Sequence, residues 1–237
     1  MTRFSDERVC VIQGATWAGV CGVRVTPAEV EELLEETRQL IPAGKTTTWW
    51  LDPGARPRDL NERLVALGLR GPADRAGLLH ALVCVTPPPA GPADVVVGRV
   101  ETFPDFVAAT ELVWDAFSTP HARREAERPH LRTQHDAAVR AGVPVTFLAT
   151  VDGRAAGAGR SVYSEYGSFL IAGAVAPWAR HRGVYRALVR ARWDDAVARG
   201  AAALVTEAMP GTSYPILLRL GFEEVCTIRR LEDPRKR

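Results

Sequence analysis

The sequence predicts an α/β protein, and three observations predict it. Beyond residue 95, short apolar runs alternate with segments whose apolar residues recur at helical spacing. Asp152-Gly153 sits between two strand-like runs, the pattern of a tight hairpin. A basic, glycine-containing turn, Arg180-His181-Arg182-Gly183-Val184-Tyr185, joins an apolar run to an amphipathic one. An antiparallel front followed by a strand–turn–helix–strand crossover accounts for this order.

A chain of 237 residues suffices for one large domain or two small ones. Its apolar fraction of 46% and charged fraction of 24% exclude a mostly disordered, collagenous or coiled-coil chain. Thirty basic residues against 28 acidic ones give a net charge of +2, with no argument for nucleic acid or an acidic membrane as partner. Lys45 and Lys236 are the only lysines, so the positive charge is nearly all arginine. No apolar run approaches the roughly 20 residues that span a bilayer, and the charged N-terminus lacks a signal-peptide core. Cys10, Cys21, Cys84 and Cys226 show no C-x-x-C spacing, so reduced thiols and a cytoplasmic setting are expected.

Thr26-Pro27-Ala28-Glu29 is a capping box with proline at the first helical position, and Val30, Leu33, Leu34 and Ile41 mark the apolar face behind it. Thr47 to Leu51 reads as a strand, ended by the turn Asp52-Pro53-Gly54. Leu60, Leu64 and Leu67 signal a second helix, closed by Gly68. Thr86-Pro87-Pro88-Pro89-Ala90-Gly91-Pro92 reads as a stiff, extended spacer. The expected division is therefore an N-terminal region 1–86, a linker 87–94 and a second domain 95–237.

In that domain Val95 to Val100 is a strand, and Phe106, Ala109, Val113 and Phe117 lie along one side of a helix. The polar stretch Thr119 to Gly142 is expected to be helical in part. Val143–Val151 and Arg154–Tyr163 form the hairpin, and Ser168–Ala176 is a further strand running into Pro177. Leu188, Val189, Trp193 and Val197 mark the helix after the basic turn. Ala202–Ala208, a short helix Ser213–Leu220 closed by Gly221, and a strand Glu224–Leu231 complete the order.

The basic turn carries the chemistry. A glycine-containing turn at a helix N-terminus exposes backbone N–H groups that have no partner in the helix. With the helix dipole they form an anion site suited to pyrophosphate. Gly183 allows close backbone approach, and Arg180, Arg182 and Arg186 can add charge-assisted contacts. An isolated R-x-x-G also occurs as a basic loop capping a solvated helix end.

Val175-Ala176-Pro177, followed by Arg180 to Val189, resembles the acetyl-CoA motif of the GCN5-related N-acetyltransferases, Gln/Arg-x-x-Gly-x-Gly/Ala between a strand and a helix. Ile216 to Phe222 resembles the same family's later motif, a short helix ending in Gly-Phe. The resemblance covers about Val95 to Glu232. It implies a mixed, twisted sheet flanked by helices, preceded here by a smaller α/β half, with two strands splayed to admit a pantetheine arm. It further implies that Ala174, Val175 and Ala176 bind pantetheine and that His181, Arg182, Gly183, Val184, Tyr185 and Arg186 bind pyrophosphate. A backbone N–H near Val175 would polarise the thioester carbonyl. Tyr185 departs from the family's small residue, so its side chain must turn away from the phosphates.

The implied activity is direct acyl transfer from acetyl-CoA, as a substrate and without metal, to an amine of a small molecule or peptide. Such transfer needs a neutral amine and a group to protonate the departing thiolate. Glu207, at a strand end, is the candidate base or else a solvated carboxylate. The family's usual acid tyrosine aligns with Leu217, leaving Tyr214 and Ser213 as acids, or as a packing ring and an N-cap. Tyr163, Glu165 and Tyr166 are candidates for the acceptor side, or are simply exposed. Trp114 and Phe117 could line the acceptor pocket or belong to the core, and His121, His130 and His135 lack metal-pair spacing. The N-terminal half resembles degenerate acetyltransferase halves of tandem family members and has no R-x-x-G-x-G turn. A non-catalytic acyl-CoA sensor or regulatory module is the competing expectation, because of Leu217 and Tyr185.

Overall fold

The computed structural model describes residues 2–71, 77–201 and 203–234. The first elements are strands β1 (Thr2–Ser5), β2 (Cys10–Gln13) and β3 (Trp17–Cys21), helix α1 (Val30–Leu40), strand β4 (Thr46–Leu51), helix α2 (Leu60–Ala66) and strand β5 (Leu78–Cys84). Then follow β6 (Val95–Arg99), α3 (Phe103–Ala116), α4 (His121–Glu127), α5 (Leu131–Ala141), β7 (Val145–Val151), β8 (Arg154–Ser164) and β9 (Gly167–Val175). Helix α6 (Val184–Ala198), β10 (Leu204–Ala208), α7 (Ser213–Arg219) and β11 (Glu223–Asp233) complete the chain. The architecture is the mixed α/β one expected, with twisted sheet flanked by helices and a smaller α/β half first. Ala202, the expected start of β10, lies outside the described residues.

Two compact units emerge, one of 1–81, 208–214 and 225–237, the other of 82–207 and 215–224. In the first, β1, β2 and β3 are antiparallel, α1 crosses over, and β4 pairs parallel to β3. The C-terminal part of β11 lies antiparallel to β4, Leu231 opposite Trp49. Sequence periodicity locates α1, β4 and α2 but not β1 to β3, whose four or five residues carry glycine and polar groups and show no clear alternation. Val11, Val20, Leu33, Leu34, Trp49, Leu64 and Leu231 form this unit's core. Trp49 is thus a core residue, while Trp50 covers Gly19.

Arg38 ties this unit to the chain's end. Its guanidinium grips Asp233 through Nε at 2.7 Å and Nη2 at 3.0 Å, both side chains buried, and Nη1 reaches Glu35 at 2.7 Å.

In the second unit, β6, β7, β8 and β9 are antiparallel and β10 runs parallel to β9. Helices α3 and α6 cover β8 and β9 from opposite faces. Arg160 points to Thr110 on α3, whereas side chains built at Gly157 and Gly159 would meet Val184, Leu188 and Arg192 on α6. Burial of Phe147, Ala149, Val151, Ala156, Val184 and Leu188 forms the core on the α6 side. Phe106, Trp114 and Leu131 form a second cluster. Trp114 is therefore a core residue, and Phe117 is exposed. His135 is buried beside Phe103 and Phe106, and His121 and His130 are exposed.

The proline-rich segment is docked on α6. Pro88 is buried and its carbonyl accepts from Arg190 Nη1 at 3.1 Å, Gly91 abuts Ala187, and Pro92 abuts Gly183.

Candidate active site

The site begins where β9 and β10 part. Among the described residues, Ser168 to Leu170 alone pair with Leu204 to Thr206, although β9 continues to Val175. A bulge marks the parting: Ala158 opposes Ala174 while Arg160 opposes Ile171, so two steps on β8 match three on β9. Ala172 takes a φ of 53° to absorb the extra residue. The result is an open strand edge over residues 171–175, with Glu207 just past the last pair.

Register decides which peptide groups face that edge. The Ala176 amide donates to the Ala156 carbonyl at 2.8 Å, and Val175 and Ala174 then oppose Gly157 and Ala158. Bonded and non-bonded pairs alternate along an antiparallel ladder. Ala174 and Ala176 thus turn their peptides to β8, and Val175 alone of the three turns its N–H and C=O to the open edge. Of the three residues expected to contact a ligand through their backbone, Val175 is the one whose peptide groups are not taken up by β8.

β9 runs into a tight turn, Pro177–Ala179, before α6. His181 and Gly183 both take left-handed φ values, 64° and 73°, with Arg182 between them. Alternating hands of this kind aim successive N–H groups into one concavity. The first helical bond runs from Ala187 N–H to the Gly183 carbonyl at 3.0 Å. Among the described residues, the amides of His181, Arg182, Gly183, Val184, Tyr185 and Arg186 donate to no backbone carbonyl or side chain. Arg180 and Arg186 are exposed beside them, and Arg182 Nη2 donates to Asp94 at 3.1 Å. Six open amides, a helix N-terminus and two exposed guanidinium groups fit a pyrophosphate. A side chain at Gly183 would have a Cβ 2.6 Å from Pro92, so it would strain the turn rather than enter the concavity.

Tyr185 does turn away. Its ring lies over Gly173, where a Cβ would stand 2.9 Å from the ring, and the Arg192 side chain lies close by. Burial pushes the Tyr185 phenol up and the Arg192 guanidinium down from their ordinary ranges. Arg192, only 1% exposed, donates to the Leu188 carbonyl at 3.0 Å. Tyr163 bonds Asp195, which also takes Arg99 and Arg199. Tyr163 therefore belongs to a structural network, while Glu165 and Tyr166 are exposed.

The remaining candidates differ in setting. Glu207 is half-buried on β10. Ser213 Oγ accepts from the Met209 amide at 3.2 Å, fixing the turn before α7. The Tyr214 ring lies 4.1 Å from that of His80, tilted by 34°. Leu217, where the family places its acid tyrosine, is 1% exposed and fills core. His80 and Arg160 escaped sequence reasoning. Only the arginine left a signal, as the lone charge within Ala155-Ala156-Gly157-Ala158-Gly159-Arg160-Ser161-Val162.

No protein-family model and no curated protein matches the chain. Solved structures do. A GCN5-related N-acetyltransferase from Kribbella flavida superposes with a TM-score of 0.68 at 20% identity, covering 98% of this chain and 89% of its own. One from Sphaerobacter thermophilus gives 0.60 at 18%, covering 95% and 75%. A tandem GNAT protein from the clavulanic acid biosynthesis pathway gives 0.62 at 17%, covering 95% and 78%. At these identities the likeness is one of fold, and over nearly its whole length this chain has the fold of the GCN5-related N-acetyltransferases.

Proposed function

We propose that the protein is an acetyl-CoA-dependent N-acyltransferase that transfers the acyl group directly to an amine of a small molecule or peptide. The observation that carries this is the pairing of the open β9 edge with the unbonded amides at the N-terminus of α6. The amides of residues 181–186, with Arg180 and Arg186, hold the pyrophosphate. The Val175 peptide binds along the pantetheine, and an edge N–H polarises the thioester carbonyl as negative charge develops on its oxygen. Glu207 accepts the proton from the amine, directly or through water, and Tyr214 or Ser213 returns one to the thiolate. The 1–86 region is a degenerate acetyltransferase half that binds no CoA of its own, joined through 87–94 to the catalytic domain 95–237.

A second reading has its own observation. With Leu217 buried in place of the family's acid and Tyr214 stacked on His80, the protein would bind acyl-CoA as a sensor without turning it over. Thiol release from acetyl-CoA across an amine panel separates the two. The enzyme releases thiol only with an acceptor, and Glu207→Gln lowers kcat about a hundredfold. Binding of acetyl-CoA without thiol release from any amine would overturn the enzyme reading in favour of the sensor.

A further inference from the structure

Arg160 stands on the face of β8 covered by α3, opposite the α6 face. Its Nη2 donates to Thr110 Oγ1 at 3.1 Å, and its Nε is sealed from solvent with no acceptor. Its guanidinium carbon lies 5.4 Å from the centre of the Phe106 ring. Among the described residues no carboxylate comes within ion-pair distance of it. The charge of Glu127 acts on it from beyond hydrogen-bond reach, and that carboxylate is engaged by Trp114 Nε1 at 3.3 Å and Arg123 Nε at 2.9 Å. Neighbouring arginines differ: Arg124 reaches Asp115 at 2.6 Å and Arg128 reaches Glu125 at 3.2 Å. Burial also pushes the Arg160 guanidinium below the usual arginine range.

A half-buried guanidinium with a sealed, unpaired Nε and no counter-charge is costly, and a ligand carboxylate in bidentate contact would offset part of that cost. Register places Arg160 relative to the chemistry. Arg160 opposes Ile171 on β9, and Thr206, paired with Leu170, immediately precedes Glu207 on β10. Partners across a ladder share a face and successive residues alternate. Val162, Phe169 and Val205 therefore share a face with Arg160, Ile171 and Glu207. Two strand spacings put the Arg160 and Glu207 backbones about 10 Å apart, before any splay of β10. The two side chains flank the open edge of β9 from one face.

Resting on the acyl-transfer reading above, we infer that the acceptor is an amino acid, whose carboxylate binds Arg160 while its amine lies toward Glu207 and the thioester. Thiol release from acetyl-CoA is compared for a series of α- and ω-amino acids and their matched carboxamides. The free acid of the best pair should exceed its amide about 10- to 100-fold in kcat/KM, chiefly through KM. Arg160→Gln should abolish that preference and Arg160→Lys restore part of it. Equal turnover of acids and amides by the unsubstituted protein, which needs no variant to fold, would overturn the inference and leave acyl transfer intact. So would a preference that persists in Arg160→Gln. If no amine releases thiol, the acyl-transfer reading fails. Calorimetric titration of N-acetyl amino acids against their amides then decides the carboxylate site: binding of the acid alone, lost in Arg160→Gln, supports it, and no discrimination overturns it.

Discussion

Among the described residues, two helices cross over between adjacent parallel strands, α1 from β3 to β4 and α6 from β9 to β10, with opposite provisions at their N-termini. Before α1, the Glu29 carboxylate accepts from the Thr26 amide at 2.7 Å and from its hydroxyl at 2.6 Å, and Glu31 and Glu32 occupy the first turn. Before α6 the N-cap is Gly183, which has no side chain to offer, and Arg180, Arg182 and Arg186 surround open amides. The sheets differ in parallel. Four of the five residues of β3 pair with β4, whereas three of the nine residues of β9 pair with β10. One crossover is closed by its own side chains and carries negative charge; the other is left open and carries positive charge. An anionic ligand distinguishes them on both counts.

The largest expected effect tests whether the first crossover is structural. Arg38→Ala removes both guanidinium hydrogen bonds from the buried Asp233 carboxylate and should cost about 3 to 5 kcal/mol in denaturant unfolding. Acetyl-CoA affinity of the protein that remains folded should not change, and a change would break the comparison.

At the second crossover, Arg186→Glu replaces an exposed cation beside the open amides by an anion. Acetyl-CoA affinity should fall about tenfold or more, with thermal stability nearly unaltered. Calorimetry and a melting curve check both halves of that expectation.

The smallest effect concerns the α1 cap. Thr26→Ala should cost no more than about 1 kcal/mol and leave acetyl-CoA binding alone. The Thr26 hydroxyl and amide hold the Glu29 carboxyl below its usual range. A depressed carboxylate contributes stability that is present above its unfolded pKa and lost as pH falls through the folded one. The stability difference between the parent and Glu29→Gln should therefore be seen at neutral pH and shrink below about pH 4. A difference that grows on acidification would contradict the cap geometry.

Most of the second unit was legible in the sequence because its signals are local. Asp152-Gly153 makes a hairpin by turn chemistry, and Gly183 opens a helix where a left-handed residue is needed. The opening of β9 was not legible, since it depends on the left-handed Ala172 and on a ladder that stops at Thr206, neither written in residue type. The docking of Pro88 on α6 and of Asp94 on the turn before it was missed for a similar reason: proline composition predicts stiffness, and what a stiff segment packs against is tertiary. Arg160 was visible as an arginine in a small-residue strand, but its lack of a counter-ion emerges only once α3 is laid over it.

The most direct test of the contrast between the crossovers is calorimetric titration of acetyl-CoA into the unsubstituted chain and into Arg180→Glu/Arg186→Glu. One site per chain with micromolar affinity, lost in the double variant, is the predicted result. Two sites per chain, no binding by folded protein, or binding that survives both substitutions would contradict it.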